Sequence, residues 1–447
     1  MVPQWLAKKV LNRAHPRMNL PHLSTLLERL SADIYEKMLE RSQYLNPEEL
    51  RRLQEEKVKR LIKMARELIP FYKDRLRSIS SLEEFYSLPT ISKTEIRAGA
   101  DRSEFHNRLT PVFGIKQHTS GSTGIPFNFF LDRNMMALRR AIYRRLLKWA
   151  GKREQDLVIH LMPGVHPGLE GENIFIKCQD PTEVEKNLTE LFRLSEKYPI
   201  ILQSRVSHLV RLAQLLEKNK LTLRPRSIIS YTEHLFLEVK NYLIKVFHAP
   251  VFDYYACNEI AAIGQECETH DGFHVNSEWA LVEVVNGKGK PVQIGGEGEI
   301  LVTSFDNEVM PFIRYRIGDR GAWIDKPCPC GKTLPRLRIM GREVASFIRP
   351  DGTLGYFSSL IKPIAKRVER ILQYQVIRRS KNEFTVRLVP TEKFTAEDKQ
   401  TVGHQFIQYL GRPLKLQVQL VKSIDDYPSG KQRGFINLEP DYFGTIP

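Results

Sequence analysis

From about residue 110 to 340, short apolar runs that read as buried strands alternate with stretches of helical periodicity. Gln155–Met162 is one such run and closes on a Pro-Gly turn. Tyr198–Leu202 follows, with a helix over about 206–218. Ser227–Tyr231 comes next, with a helix over about 235–247, and then Val251–Tyr255. Repeated strand–helix units bury their apolar faces most simply in an α/β sheet, whose ligands sit at the carboxyl ends of the strands. Segments 280–285 and 299–304 read instead as an antiparallel pair joined through Gly-rich turns.

The flanks differ in kind. Residues 24–77 read as helices: Asn46 is suited to an N-cap, Pro47 to the first helical position and Glu49 to the reciprocal cap. Leu50, Leu53, Leu61, Met64 and Leu68 then recur at helical spacing until Pro70. After Gly341-Arg342 the composition shifts to a predicted helix (357–372), strands at 373–379 and 383–389, a helix capped by Thr395 and Asp398, and a strand at 414–421. That order suits a small α+β domain. The expected division is a helical entry segment (1–80), a main α/β domain (81–342) and a C-terminal domain (343–447).

A chain of 447 residues exceeds one ordinary core, and 42% hydrophobic with 27% charged residues is globular rather than disordered. No run of 18 apolar residues is present, so no transmembrane segment is expected; nor is there an apolar leader with a small-residue cleavage site. Five cysteines without such a leader suit a reducing compartment, and the cytoplasm is the expected address. The net charge of +16 favours anionic partners. Its basic residues are interleaved with acidic ones and accompany no recognised nucleic-acid motif, so mixed solvated helix faces, not nucleic-acid binding, are expected.

Several motifs carry chemistry. His118 leads into Thr119, Ser120, Gly121, Ser122, Thr123 and Gly124, then Ile125-Pro126. Such a loop offers hydroxyls and close backbone N–H groups to a polyphosphate, although it lacks the Gly-Lys-Ser/Thr of a Walker A loop and could equally be a plain turn. Downstream stand Asp253-Tyr254-Tyr255-Ala256-Cys257-Asn258-Glu259, Pro311–Asp319 with Arg314 and Arg316, Ile339-Met340-Gly341-Arg342, and Pro428-Ser429-Gly430-Lys431. Singly, Asp319 could be a turn residue, Glu259 a helix cap, Tyr255 core and Lys431 a solvated loop tip.

In this order the motifs resemble those of the adenylate-forming (acyl-AMP) enzymes, most closely the phenylacetate–CoA ligase and capsule-biosynthesis (CapK-like) branch. The similarity runs from Ile69-Pro70-Phe71-Tyr72 to Lys431. It implies a large adenylate-forming α/β domain with a small β subdomain, plus a mobile α+β lid. It also implies a reaction in which a carboxylate attacks the α-phosphorus of ATP and a thiol, often CoA, later displaces AMP. On that resemblance, residues 119–124 would hold the β- and γ-phosphates, and Glu259 would ligate Mg²⁺. Tyr255 would stack on adenine, with Thr232, Glu233 and Asn258 flanking the nucleotide. Asp319 would accept the ribose hydroxyls, Arg342 would contact ribose or phosphate near the hinge, and Lys431 would bridge the carboxylate and α-phosphate. The chain departs from the pattern at Val344 and Ala345, where the branch usually carries Asp-Asp, at Asn258 in place of Thr, and at His118, where a small residue is more usual.

Cys267, His274, Cys328 and Cys330 form a Cys₃His set suited to structural Zn²⁺, with Cys-x-Cys tighter than the usual spacing. Unrelated reduced cysteines beside a surface histidine are the alternative; similar cysteines in the phenylacetate–CoA ligase branch favour the metal. Cys257 could replace one ligand, and Cys178 reads as core. The sequence-based expectation is therefore an ATP- and Mg²⁺-dependent enzyme that adenylates a small-molecule carboxylic acid, with CoA as acceptor. Transfer to a hydroxyl, an amine or a protein thiol, and nucleotide binding without turnover, are the rivals. The acid would lie near 160–165 and 229–235, where His160, Met162 and Tyr231 could equally be core. Self-association as a homodimer is left open.

Overall fold

The computed structural model describes residues 21–101, 104–105, 114–118, 128–162, 173–178, 181–342, 346–351, 354–411, 414–424 and 434–438. Two compact units emerge, one from residues 1–150, 167–169 and 254–339, the other from residues 151–166, 170–253 and 340–447.

The first unit opens with helices α1 (Pro21–Ser42) and α2 (Pro47–Leu68). The expected cap is present: Asn46 accepts from the Glu49 backbone N–H at 2.9 Å, and Glu49 accepts from that of Asn46 at 3.0 Å. Leu50, Val58, Leu61, Ile62 and Ala65 of α2 are buried, as helical spacing of the apolar residues requires. Helix α3 (Lys93–Asp101) and the hairpin β1 (Ile115–His118) and β2 (Asn128–Leu131) follow, and then α4 (Arg133–Trp149), whose N-cap is Asp132.

The unit's main sheet takes the latter part of β7 (Val251–Cys257) with β8 (Ala261–Gln265), β9 (Phe273–Val275), β10 (Ala280–Val285), β11 (Glu297–Ser304), β12 (Tyr315–Ile324) and the first part of β13 (Arg336–Arg342). Its order is β10-β11-β12-β13-β9-β8-β7. The predicted pair at 280–285 and 299–304 is antiparallel in register, Ala280 opposite Ser304. Tyr72, Phe85, Trp279, Phe305, Phe312 and Ile313 fill the core against it.

The second unit carries β3 (Leu157–Met162), β4 (Ile174–Lys177), β5 (Ile200–Arg205) and β6 (Ser227–Tyr231) in the order β6-β5-β3-β4, with parallel pairing β6/β5, β5/β3 and β3/β4. Helices α5 (Leu188–Lys197), α6 (Val206–Lys218) and α7 (Leu237–Phe247) are interleaved with them, which is the alternation the sequence announces. The same unit holds the short pair β14 (Ser346–Ile348) and β15 (Leu354–Tyr356), and a four-stranded sheet. That sheet has β18 (Lys415–Leu420), β17 (Glu383–Pro390), β16 (Ile371–Ser380) and β19 (Phe435–Asn437) in that order, with helix α8 (Ala396–Leu410). Gln214 of α6 donates to the carbonyls of Val368 and Ile371, at 2.7 and 3.2 Å.

One expected element is different. The helix anticipated over 357–372 is two single turns, Phe357–Leu360 and Lys362–Ala365, and β16 starts at Ile371. Pro363 explains the break, because it lacks the N–H that a continuing helix would use. β19 was not anticipated; three residues carry too little period to read, and it pairs in parallel with β16 through Val376 and Phe435.

The Thr395–Asp398 capping box exists, and Asp398 also accepts from Arg370 at 3.0 Å and Arg367 at 3.3 Å. Burial pushes the Asp398 carboxyl up, but hydrogen bonds from the Thr395 backbone and from Arg370 outweigh it and hold it below the ordinary value of 3.8. A carboxylate with a depressed folded pKa stabilises above its unfolded pKa and loses that contribution as pH falls. Urea titrations from about pH 5 to 2 should therefore show wild-type stability falling more steeply than that of Asp398→Asn; parallel curves would contradict this.

Candidate nucleotide site and metal centre

The Ile313–Asp319 motif is built around a backbone anomaly. Arg314 has φ +47°, and its side chain is almost wholly buried. Its guanidinium donates to Glu283 (2.7 Å at the closest), to the carbonyl of Gly289 at 2.7 Å and to that of Leu88. Burial pushes the Glu283 carboxyl up, and Arg314 opposes that. Arg316 pairs with Glu299 and donates to Thr90 at 2.9 Å. Both arginines of the motif are thus engaged in holding β12 to its neighbours.

Beyond them the ladder bulges. Leu301 faces Arg316 and Glu299 faces Arg320, so Ile317, Gly318 and Asp319 together face Ile300 alone. Gly318 supplies φ +79°, which a side chain would disfavour. This bulge places Asp319, largely buried, where its Oδ2 accepts from the Tyr255 hydroxyl at 2.8 Å. Two residues assigned to one nucleotide are therefore hydrogen-bonded to each other.

Four residues on, the β7–β8 turn carries Asn258 and Glu259, closing with Cys257 opposite Ala261 at φ +75°. Glu259 is buried, accepts from the Tyr315 hydroxyl at 3.0 Å, and lies 3.8 Å from the Lys93 ammonium. Arg139 donates to the Asn258 carbonyl at 3.0 Å. Burial, then the neighbouring Glu259 carboxylate, push the Cys257 thiol far up, so it stays protonated. Lys93, Arg139 and Tyr315 were not singled out as site residues from sequence. No local motif marks Lys93 or Arg139, and only the fold brings them to Glu259.

Other assigned residues belong to the second unit or lie outside the described residues. Thr119, Ser120, Gly121, Ser122, Thr123 and Gly124 lie outside the described residues, between β1 and β2, whose last ladder pair is His118 with Asn128. Lys431, Val344 and Ala345 also lie outside them, as does the side chain of Arg342, the last residue of β13. In the second unit, Thr232 adopts φ +75° and Glu233 accepts from the Ser207 backbone and hydroxyl at 2.7 and 2.9 Å, securing a helix start that has no side-chain cap of its own. His160 is buried and stacks on Phe175, the Tyr231 hydroxyl is buried without a hydrogen-bond partner among the described residues, and Cys178 is core.

Cys267, His274, Cys328 and Cys330 converge: one ligand atom from each lies within 4.8 Å of all the others. Cys267 Sγ is 3.6 Å from Cys328 Sγ, and Cys330 Sγ is 3.4 Å from His274 Nε2. A tetrahedral zinc with ordinary bond lengths has edges of about 3.8 Å between sulfurs and about 3.5 Å between sulfur and nitrogen. His274 Nδ1 lies 3.0 Å from the Leu334 carbonyl, which selects the tautomer with a bare Nε2 facing the sulfurs. Burial, chiefly, lowers the imidazole pKa to about 4, so the ring is neutral near pH 7. Two turns present the thiols: the His270 N–H donates to the Cys267 carbonyl, and the Gly331 N–H, at φ +79°, to that of Cys328. Cys257 is not in this cluster.

A solved 2-hydroxyisobutyryl-CoA ligase in the postadenylation state, complexed with R3-HIB-AMP, superposes with a TM-score of 0.77 at 20% identity, covering 89% of this chain and 91% of its own. The fold is that of an adenylate-forming ligase. Within it, the chain resembles the phenylacetate–coenzyme A ligase and CapK branch. The phenylacetate-coenzyme A ligase of Thermus thermophilus is 27% identical over 323 residues, 66% of this chain and 71% of the relative. Protein CapK of Staphylococcus aureus is 27% identical over 282 residues, 57% of this chain and 58% of its own. The family model of the CapK C-terminal domain matches residues 348–438.

Removing one member of a buried ion pair leaves the other uncompensated. Arg314→Ala should lower the unfolding free energy by about 3–5 kcal/mol in urea titration. Arg316→Ala, at a more exposed pair, should cost about 1 kcal/mol or less.

Proposed function

We propose that this chain is an acid–thiol ligase that activates a small-molecule carboxylic acid with ATP and passes the acyl group to CoA. In the first half-reaction a carboxylate oxygen bonds to the α-phosphorus and the bond to pyrophosphate breaks, giving acyl-AMP. In the second, a thiol sulfur bonds to the acyl carbon, AMP leaves with the electrons of the broken bond, and the thiol proton is released. The single observation that supports this most is the Tyr255–Asp319 hydrogen bond at the β12 bulge, in the fold of adenylate-forming ligases.

Each residue has a stated task in this reading. Asp319, an acceptor-only carboxylate, takes the ribose hydroxyls, and Tyr255 offers its ring to adenine, oriented by that same carboxylate. Thr232, Glu233 and Asn258 border the nucleotide. The loop of Thr119, Ser120, Gly121, Ser122, Thr123 and Gly124 wraps the β- and γ-phosphates, and Arg342 contacts ribose or phosphate. Lys431 draws the two reacting anions together as a point charge. Glu259, a hard buried carboxylate, suits Mg²⁺, which when bound neutralises phosphate charge. The Cys₃His cluster holds structural Zn²⁺, a donor set whose spacing and histidine tautomer fit that ion. The division at 1–80, 81–342 and 343–447, with a mobile lid, and the cytoplasmic address belong to the same proposal.

A second reading keeps adenylation but transfers to a hydroxyl, an amine or a protein thiol in surface polysaccharide biosynthesis. The CapK C-terminal match and the replacement of the usual hinge carboxylates by Val344 and Ala345 favour it. Acid-dependent pyrophosphate exchange across a panel of carboxylic acids, followed by acyl-AMP consumption with and without CoA, separates the two. ATP binding with no exchange for any acid would leave a nucleotide-binding protein without turnover.

Lys431→Ala should reduce adenylation by about a hundredfold or more while leaving acyl-AMP consumption nearly intact; equal loss of both would remove its assigned role. Asp319→Ala should raise the KM for ATP roughly 10- to 100-fold, as expected for losing hydrogen bonds to a charged acceptor. Chelation should release one zinc per chain and lower the melting temperature.

A further inference from the structure

We propose that the Cys₃His centre positions the nucleotide wall through Phe273, so that its metal sets nucleotide affinity as well as stability. This rests on the zinc reading and on the reading of Tyr255 and Asp319 as nucleotide contacts.

Three-residue β9 is the lever. Successive side chains of a strand point to opposite faces. Phe273 places its ring 5.8 Å from that of Tyr255, whereas His274 turns to the cysteines and packs on Trp149 with ring centroids 5.6 Å apart. The approach between Phe273 and Tyr255 depends on Gly264, the ladder partner of Tyr255. A Cβ on Gly264 would lie 3.2 Å from Phe273 Cβ and 3.1 Å from the His274 carbonyl. A slip of one residue would exchange the faces of Phe273 and His274, removing the ring from Tyr255 and the imidazole from the metal together.

So short a strand has little ladder to fix its register. Its residue pairs are Gly264 with Val275 and Gln265 with His274 on one side, and Arg336 with His274 and Leu337 with Phe273 on the other. The four ligands supply what the ladder lacks. Cys267 and His274 belong to the β8–β9 hairpin, while Cys328 and Cys330 sit between β12, which carries Asp319, and β13. A metal therefore closes a ring of contacts from Tyr255 to Phe273, through His274 and the cysteines to β12, and from Asp319 back to the Tyr255 hydroxyl. Phe273 is a positioning residue in this arrangement, acting on Tyr255.

The test measures AMP affinity by calorimetry on full-length protein, zinc-replete and chelator-stripped, with metal content and melting temperature recorded alongside. Stripping should weaken AMP about tenfold, a typical coupling between two sites. Phe273→Ala should weaken it by a similar factor while retaining one zinc per chain, and stripping that variant should cost little more. Phe273→Tyr should restore wild-type affinity. A stripped wild type that stays folded and binds AMP unchanged would overturn the proposal, as would losses from stripping and from Phe273→Ala that simply multiply. If stripping unfolds the chain, zinc-replete Phe273→Ala decides alone, and unaltered affinity there overturns it. The supporting readings fail separately: a chain purified without zinc sinks the metal assignment, and Asp319→Ala with undiminished AMP affinity sinks the nucleotide wall.

Discussion

The first unit is organised by a guanidinium that has almost no water. Arg314 and Glu283 bury opposite charges whose desolvation is offset because all three guanidinium nitrogens find an oxygen: the carboxylate, the Leu88 carbonyl and the Gly289 carbonyl. That geometry holds the strand entering the bulge, and its φ of +47° is tolerated because the surroundings fix it. The bulge begins at the residue after Arg316, and the Asp319 carboxylate is delivered to Tyr255 as a result. A buried ion pair thereby helps determine where the acidic group stands.

How much of this was legible in sequence depends on the length scale of each signal. Strand–helix alternation, the Asn46 and Thr395 caps, and the 280–285 pairing were legible because period and capping chemistry are local. The break at Pro363 was legible in principle and was overridden by the helical spacing around it. β19 carried no readable period. Asp319 and Glu259 could be singled out from motifs, but their partners could not. Tyr315 reaches Glu259 across 56 residues and Arg139 reaches Asn258 across 119, contacts that only the folded chain defines. The arginines of the Ile313–Asp319 motif show the converse: conspicuous in sequence just before Asp319, they are engaged with carboxylates, carbonyls and the Thr90 hydroxyl.

The cysteines divide by environment rather than by spacing. Four donor atoms gathered on two turns and one short strand form a compact metal-ready set, with the histidine tautomer fixed from behind by Leu334. Cys178 packs in the apolar core, in line with the small hydrophobic character of cysteine. Cys-x-Cys spacing was the weakest part of the metal motif on paper, and the Gly331 turn is what lets both sulfurs face the same point.

Cys257 is the fifth sulfur, and its setting bears on chemical fidelity. Were acyl-AMP formed here as proposed, a reactive thiol beside Glu259 would invite self-acylation, consuming activated acid and inactivating the protein. Burial first, and then the Glu259 and Asp319 carboxylates, keep that sulfur in its protonated and poorly nucleophilic form. On the proposed reaction, an external thiol would then meet no competition from this one for the acyl group.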